Sequence, residues 1–206
     1  LKKGFPEHYK WVGPSGASVE AGKDYRLDLS IFPNQKKVLV TCGTQLAWAK
    51  ENLIYQAKQL AKAHPDCHFF VTRGVGGEVF QCENLMENLS VVSYLPYKEY
   101  IPQMDYVIHH GGAGIFYQCI IYGKPALILP HDYDQFDYAV RGVEAGVALS
   151  ANKEDTRAIG QAFDNLLAKE DWSELETLRQ AAQSYHPTEI LESEIHRLLV
   201  ERENER

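Results

Sequence analysis

Residues 36–206 predict an α/β fold, a Rossmann-like, doubly wound parallel sheet, and three observations predict it. Short apolar, β-rich runs alternate with longer segments of helical spacing. The runs are continuously apolar rather than alternating, as strands buried on both faces must be. Glycines and polar residues gather where each run ends and a helix begins. Ligands of such folds sit beyond the carboxyl ends of the strands, so the strand-to-helix junctions are where chemistry is expected.

The elements follow in order. Residues 1–35 carry Gly4, Pro6, Gly13, Pro14, Gly16, Gly22 and Pro33 and no periodic apolar stretch, and read as a linker with one short strand at 9–12. Residues 37–42 (KVLVTC) form a buried strand. Leu46, Ala49, Leu53, Ala57, Leu60 and Ala61 then recur at helical spacing over 45–63. Strands are expected at 67–72, 89–94, 106–109, 125–129 and 147–149. A short helical turn broken by Pro102 falls at 97–104. Helices over 112–122 and 134–145 are each stopped by a glycine, Gly123 and Gly146. The remainder reads as helix over 153–168, 172–182 and 187–202, the last with an apolar stripe of Ile190, Leu191, Ile195, Leu198 and Leu199.

Composition narrows the function classes. With 206 residues, 45% hydrophobic and 24% charged, the chain has material for a sizeable core and is neither disordered nor disulfide-dependent. A formal net charge of −7 disfavours general binding to nucleic acid. Cys42, Cys67, Cys82 and Cys119 form no CxxC or Cys/His pattern, and the first, second and fourth lie among apolar neighbours as buried free thiols of a reducing compartment. No apolar run approaches the roughly 20 residues of a transmembrane helix, and no signal peptide is evident, so the chain reads as cytoplasmic and not an integral membrane protein.

The junctions carry the candidate chemistry. At the first, Gly43 and Thr44 suit a phosphate, with Thr44 as the cap of the next helix the plainer alternative. At the second, Arg73 precedes the glycines 74, 76 and 77, and is either an anion contact or a solvated loop cation. Tyr94 and Tyr97, after the strand at 89–94, can present a ring face to a nucleobase or pack on the core. The strongest signal is His109-His110-Gly111-Gly112-Ala113-Gly114-Ile115-Phe116-Tyr117-Gln118. Its glycines let a pyrophosphate approach the backbone and a helix N-terminus, and His110 can donate to a departing phosphate oxygen. His109 is expected to be a satisfied core histidine. The spacing is not GxGxxG, because Tyr117 stands where a glycine is needed. Asp134 and Gln135 offer acceptors and donors to a polyhydroxyl ligand, or Asp134 simply caps a helix. Asp132-Tyr133-Asp134 also spells DxD, a weak cation pattern, and no metal site is expected.

Taken together, Tyr94-Leu95-Pro96-Tyr97, His110-Gly111-Gly112, Gly123-Lys124-Pro125 and Pro130 with Asp134-Gln135 resemble the donor-binding signature of the UDP-glucosyl/glucuronosyltransferase superfamily, whose members have the two-domain GT-B fold. The continuation through Phe136 and Ala139 resembles bacterial macrolide and rhamnosyl-type transferases, and residues 9–14 resemble the segment leading into the second domain. The resemblance covers most of residues 9–150. It implies that Tyr94 stacks on the base and that His110 binds the pyrophosphate with the backbone of Gly112, Ala113, Gly114 and Ile115 and with Thr44. Asp134 and Gln135 would hold the sugar. Two departures matter: the family often has Trp where Tyr94 stands, and a ribose-gripping Glu where Gln118 stands. An amide bonds a hydroxyl more weakly than a carboxylate does.

The resemblance further implies an inverting, metal-independent hexosyl transfer from a UDP- or dTDP-sugar, without a cofactor, to an acceptor hydroxyl. Its general base and acceptor pocket lie in an N-terminal domain, so this chain, beginning at Leu1, is expected to be a donor-binding half that is inactive alone. The terminal helix would cross back to that domain or pack on its own. The alternative is a donor-binding subunit of a split transferase working with a separate chain. A nicotinamide oxidoreductase lacks its GxGxxG here, and a phosphosugar isomerase would have only Asp134 with His110 as an acid–base pair.

Overall fold

The computed structural model describes residues 12–13, 26–44, 46–74 and 80–204. The strand expected at 9–12 falls mostly outside them, as do residues 76 and 77. The strands are β1 (Lys36–Thr41), β2 (Cys67–Thr72), β3 (Cys82–Met86), β4 (Leu89–Val92), β5 (Tyr106–His109), β6 (Ala126–Ile128) and β7 (Ala148–Ser150). The helices are α1 (Lys50–Ala63), α2 (Tyr97–Tyr100), α3 (Ala113–Ile121), α4 (Gln135–Glu144), α5 (Thr156–Ala168), α6 (Ser173–Gln183) and α7 (Pro187–Asn204).

The sheet runs β3-β4-β2-β1-β5-β6-β7. Every neighbouring pair is parallel except β3 with β4. β3 is a correction to the expected all-parallel sheet. Its residues (CENLM) are mostly exposed and show no apolar run, because an edge strand buries neither face completely. Asn88, in the turn after it, ties the hairpin down by donating to the carbonyls of Ala61, His64 and Cys67 at 2.9, 3.1 and 3.0 Å.

The continuous apolar strands feed two cores. Val38, Val40, Phe69, Val71 and Ile108 pack on one face with Leu53, Ala57 and Leu60 of α1 and Phe163 of α5. Leu39, Phe70, Val92, Val107 and Ile128 pack on the other with Ile115 and Cys119 of α3 and Leu175 of α6. Successive strand residues thus belong to opposite faces, as the pleat requires. Cys42, Cys67 and Cys119 are buried free thiols and Cys82 lies exposed on the edge strand.

The chain leaves β1 on one side toward β2 and β4, then returns to β5 on the other side of β1. Strand order therefore reverses between β1 and β5, and a crevice opens there at the carboxyl ends. Helix α7 leaves Leu191, Ile195, Leu198 and Leu199 between 48% and 56% exposed, so this stripe is not packed on the described domain. No described helix is long and apolar enough to cross a membrane.

Candidate functional site

Three adjacent strands end in one repeated device. The last residue of β2, β1 and β5 accepts a hydrogen bond from the backbone N–H two residues on. Thr72 Oγ1 takes Gly74 N–H at 3.2 Å, Thr41 Oγ1 takes Gly43 N–H at 3.0 Å, and His109 Nδ1 takes Gly111 N–H at 3.0 Å. Each of these glycines has positive φ (+63°, +69° and +92°), a backbone region open to glycine at little cost. The register aligns Thr41 with Thr72 on one side and His109 on the other, so the three turns stand side by side. Tyr97 braces the row, its hydroxyl 2.8 Å from Thr41 Oγ1, and burial pushes its phenol up.

Around this row lies a cleft of about 670 Å³. Gly43, Thr44, Tyr94, Tyr97, His110, Gly112, Gly114, Ile115, Gln118, Asp134 and Gln135 line it, so most of the residues singled out from the sequence come together. Arg73 is not among the lining residues; its guanidinium lies at the surface, 3.5 Å from the exposed Glu51 carboxylate. Ala113 opens α3 between two lining glycines without itself lining the cleft. Leu46, Thr72, Gly74, Leu95, Asp132 and Tyr133 complete the wall. From the sequence Leu46 reads only as an apolar helix position, Leu95 as the intervening residue of the Tyr94-Leu95-Pro96 element, and Thr72 as the end of an apolar strand. The recurrence Thr-x-Gly, Thr-x-Gly, His-x-Gly was the signal that could have located the strand-end row.

Thr44 does not cap a helix: a 3-10 turn, Ala47–Ala49, intervenes before α1, whose own cap is Ala49. Thr44 is instead exposed in the cleft. Asp134 precedes α4 but its carboxylate makes no capping bond. Gln135 is less free than expected. Its Oε1 accepts the N–H groups of His131 and Asp132 at 2.9 and 3.1 Å, leaving the amide nitrogen for a ligand. Gln118 is 6% exposed, and its buried Oε1 has no partner in the described structure.

His110 sits between two glycine turns. A Cβ at Gly43 would meet its Cε1 at 3.0 Å, and one at Gly112 would overlap its Nε2. Burial, and then the neighbouring His131, pull its pKa down to about 4, with Thr41 and Asp134 opposing. The imidazole is therefore neutral at pH 7 and acts as a hydrogen-bond donor or acceptor. His109 is fully buried, with its pKa lowered to about 3 by burial and by His110. Accepting from Gly111 fixes its Nδ1 as the unprotonated nitrogen. Its Nε2–H has no partner, so this histidine is only half satisfied, contrary to the sequence-based expectation.

The N-terminus of α3 faces the same space. Its cap, Gly112, makes no side-chain bond to the first turn, and its carbonyl receives the N–H of Phe116. The N–H groups before Phe116 point outward with the positive end of the helix dipole. A Cβ at Gly114 would have nothing within 4 Å. Gly114→Ala is therefore expected to raise stability by up to about 1 kcal/mol in a thermal melt while placing a methyl group beside those N–H groups. A fall in Tm would contradict the open geometry. The arrangement is a neutral, donor-rich cradle for a polyanion, flanked by Tyr94 at one end and an uncapped carboxylate at the other. Among the described residues no group of three or more His, Cys, Asp or Glu is placed to hold a metal.

Fold and cleft define a Rossmann-like domain with a ligand-sized cleft at its switch point, and solved glycosyltransferases share the fold. The glycosyltransferase of kitacinnamycin superposes with a TM-score of 0.74 at 21% identity, covering 91% of this chain and 48% of that one. The spinosyn rhamnosyltransferase SpnG complexed with thymidine diphosphate gives 0.66 at 19%, covering 78% and 45%. The uncharacterized UDP-glucosyltransferase YdhE of Bacillus subtilis is 24% identical over 173 residues, 82% of this chain and 42% of the relative. The 3-alpha-mycarosylerythronolide B desosaminyl transferase of Saccharopolyspora erythraea is 29% identical over 122 residues, 57% of this chain and 28% of that enzyme. The chain thus spans less than half the length of these relatives. The family model for the erythromycin biosynthesis protein CIII-like C-terminal domain matches residues 76–196, and the chain belongs to that family.

Proposed function

We propose that this chain is the donor-binding half of an inverting glycosyltransferase that moves a hexosyl group from a UDP- or dTDP-sugar to an acceptor hydroxyl. One observation carries the reading: a half-buried, neutral histidine and the open N-terminus of α3 converge at the switch point of the sheet. That is where a diphosphate leaving group needs donors. The presence of thymidine diphosphate in the related SpnG complex supports it.

In the proposed reaction the acceptor oxygen bonds to the anomeric carbon as the bond from that carbon to the diphosphate oxygen breaks. The nucleoside diphosphate leaves with the electron pair. The acceptor proton goes to a base outside this chain, on the acceptor-binding domain we propose as its partner. His110 Nε2 and the first-turn N–H groups of α3 take the growing charge on the leaving oxygens, in place of a metal or resident cofactor. Tyr94 covers the base and Gln118 meets the ribose through its unpartnered oxygen. Asp134 and the Gln135 amide nitrogen hold hexose hydroxyls.

The test is calorimetric titration of the chain with UDP, dTDP and NAD, with and without Mg²⁺. Saturable binding of a nucleoside diphosphate without metal is expected, with proton uptake as the dianion raises the pKa of His110 from its low resting value. Binding that requires Mg²⁺ would overturn the metal-independent part. Binding of NAD alone would overturn the reading as a whole.

A further inference from the structure

Tyr133 is the one non-glycine residue with positive φ, +44°, among the described residues. An aromatic side chain is strained in this region, where glycine is not. Its neighbours hold it there. Asp132 Oδ1 accepts the Tyr133 N–H at 2.9 Å, and Gln135 Oε1 ties down the two preceding N–H groups. The ring delivered by this loop is 86% exposed and lines the cleft beside Asp134. Among the described residues no ring stacks on it. Nearby, Trp48 is 64% exposed and meets buried His131 edge-on, with ring centroids 5.7 Å apart.

The rim next to Asp134 thus presents bare aromatic surface, the carboxylates of Asp134 and Asp132, the latter bonded to the Tyr133 N–H, and one free amide nitrogen. A second anion is disfavoured there by the Asp134 carboxylate. An aromatic residue held in strain with nothing to pack on suits a ligand that brings both an apolar face and hydroxyls. A pyranose ring does so: its C–H face lies on an aromatic ring and its hydroxyls reach the carboxylate and amide. We propose that Tyr133 is a saccharide-stacking residue that sets the affinity of the cleft for the hexosyl part of its donor. This rests on the donor-binding reading above.

The experiment compares UDP with UDP-glucose and dTDP with dTDP-glucose on the unaltered chain, Tyr133→Gly, Tyr133→Phe and Trp48→Ala. In Tyr133→Gly the ratio of Kd for the sugar conjugate to Kd for the diphosphate is expected to rise roughly three- to tenfold, the range of one aromatic contact. The diphosphate Kd itself should move less than about twofold, and Tm should hold or rise as the strain is relieved. Tyr133→Phe should keep the original ratio, and so should Trp48→Ala, which alters an exposed aromatic residue outside the cleft lining. An unchanged ratio in Tyr133→Gly, with diphosphate still bound, overturns this inference alone. Loss of diphosphate affinity in Tyr133→Gly also overturns it, since the loop would then be a scaffold for the anion site. Failure of the unaltered chain to bind any nucleotide overturns the donor-binding reading and this inference with it.

Discussion

Gly112→Ala is expected to weaken nucleoside diphosphate binding by about 10- to 100-fold while leaving the domain folded. The backbone at this position, φ −61° and ψ 145°, suits alanine, so the substitution brings no conformational strain. As a helix cap, alanine is poorer than glycine by under about 1 kcal/mol. The added Cβ, however, would overlap His110 Nε2 and lie 3.1 and 3.3 Å from Cε1 and Cδ2. The ring must swing away, and it loses its bond to the diphosphate. A hydrogen bond to a charged group contributes about 1.5–3 kcal/mol, which sets the range. His110→Ala should cost a similar factor. The double variant should cost no more than His110→Ala alone, because the glycine matters only while the imidazole is present. Additive losses would mean that Gly112 meets the ligand by itself. An unchanged Kd in Gly112→Ala would remove His110 from the site.

The second large effect is acid lability. His68, His109 and His110 have pKa values lowered by burial to about 4, 3 and 4 from an ordinary 6.5. The unfolded chain takes up these three protons near pH 6.5, and the folded chain refuses them until about pH 4. The unfolded state therefore binds more protons inside that window, and stability falls as pH falls through it. Each refused proton contributes up to about 1.4 kcal/mol per pH unit. From pH 7 to pH 5 the loss is on the order of 5 kcal/mol, comparable to the whole stability of a small domain. Urea unfolding at the two pH values checks it. His109→Asn, which keeps an acceptor for the Gly111 N–H, should flatten the profile by about a third. A flat profile in the unaltered chain would mean that these rings reach solvent in the folded state.

The sheet was largely legible in the sequence because its strands are buried on both faces. The strands at 67–72 and 106–109 were expected with the bounds they have, since a continuous apolar run leaves little room for another reading. β3 was not legible. An edge strand of mixed polarity carries no such run, and only its pairing with β4 makes it a strand. The cleft-lining residues were legible in part, because glycines mark the turns at the carboxyl ends of the parallel strands, where the cleft opens. What those residues do locally was not. Thr44 reads equally as a cap until the turn at Ala47–Ala49 separates it from α1, and nothing local to Arg73 signals the nearby Glu51.

By itself, then, the sequence determined which runs are strands and where the strand-end glycines fall. Both follow from local chemistry: apolar residues leave water, and glycine permits turns that other residues resist. Tertiary structure alone decided which junctions meet. Sheet order put β5 against β1, so His110 reached Gly43 across some 67 residues of chain. That approach depends on contact between distant segments, and no local pattern encodes a contact of that kind. The Gln135 oxygen and the φ of Tyr133 were decided within one loop, by hydrogen bonds spanning one to four residues that set Tyr133 against its own preference.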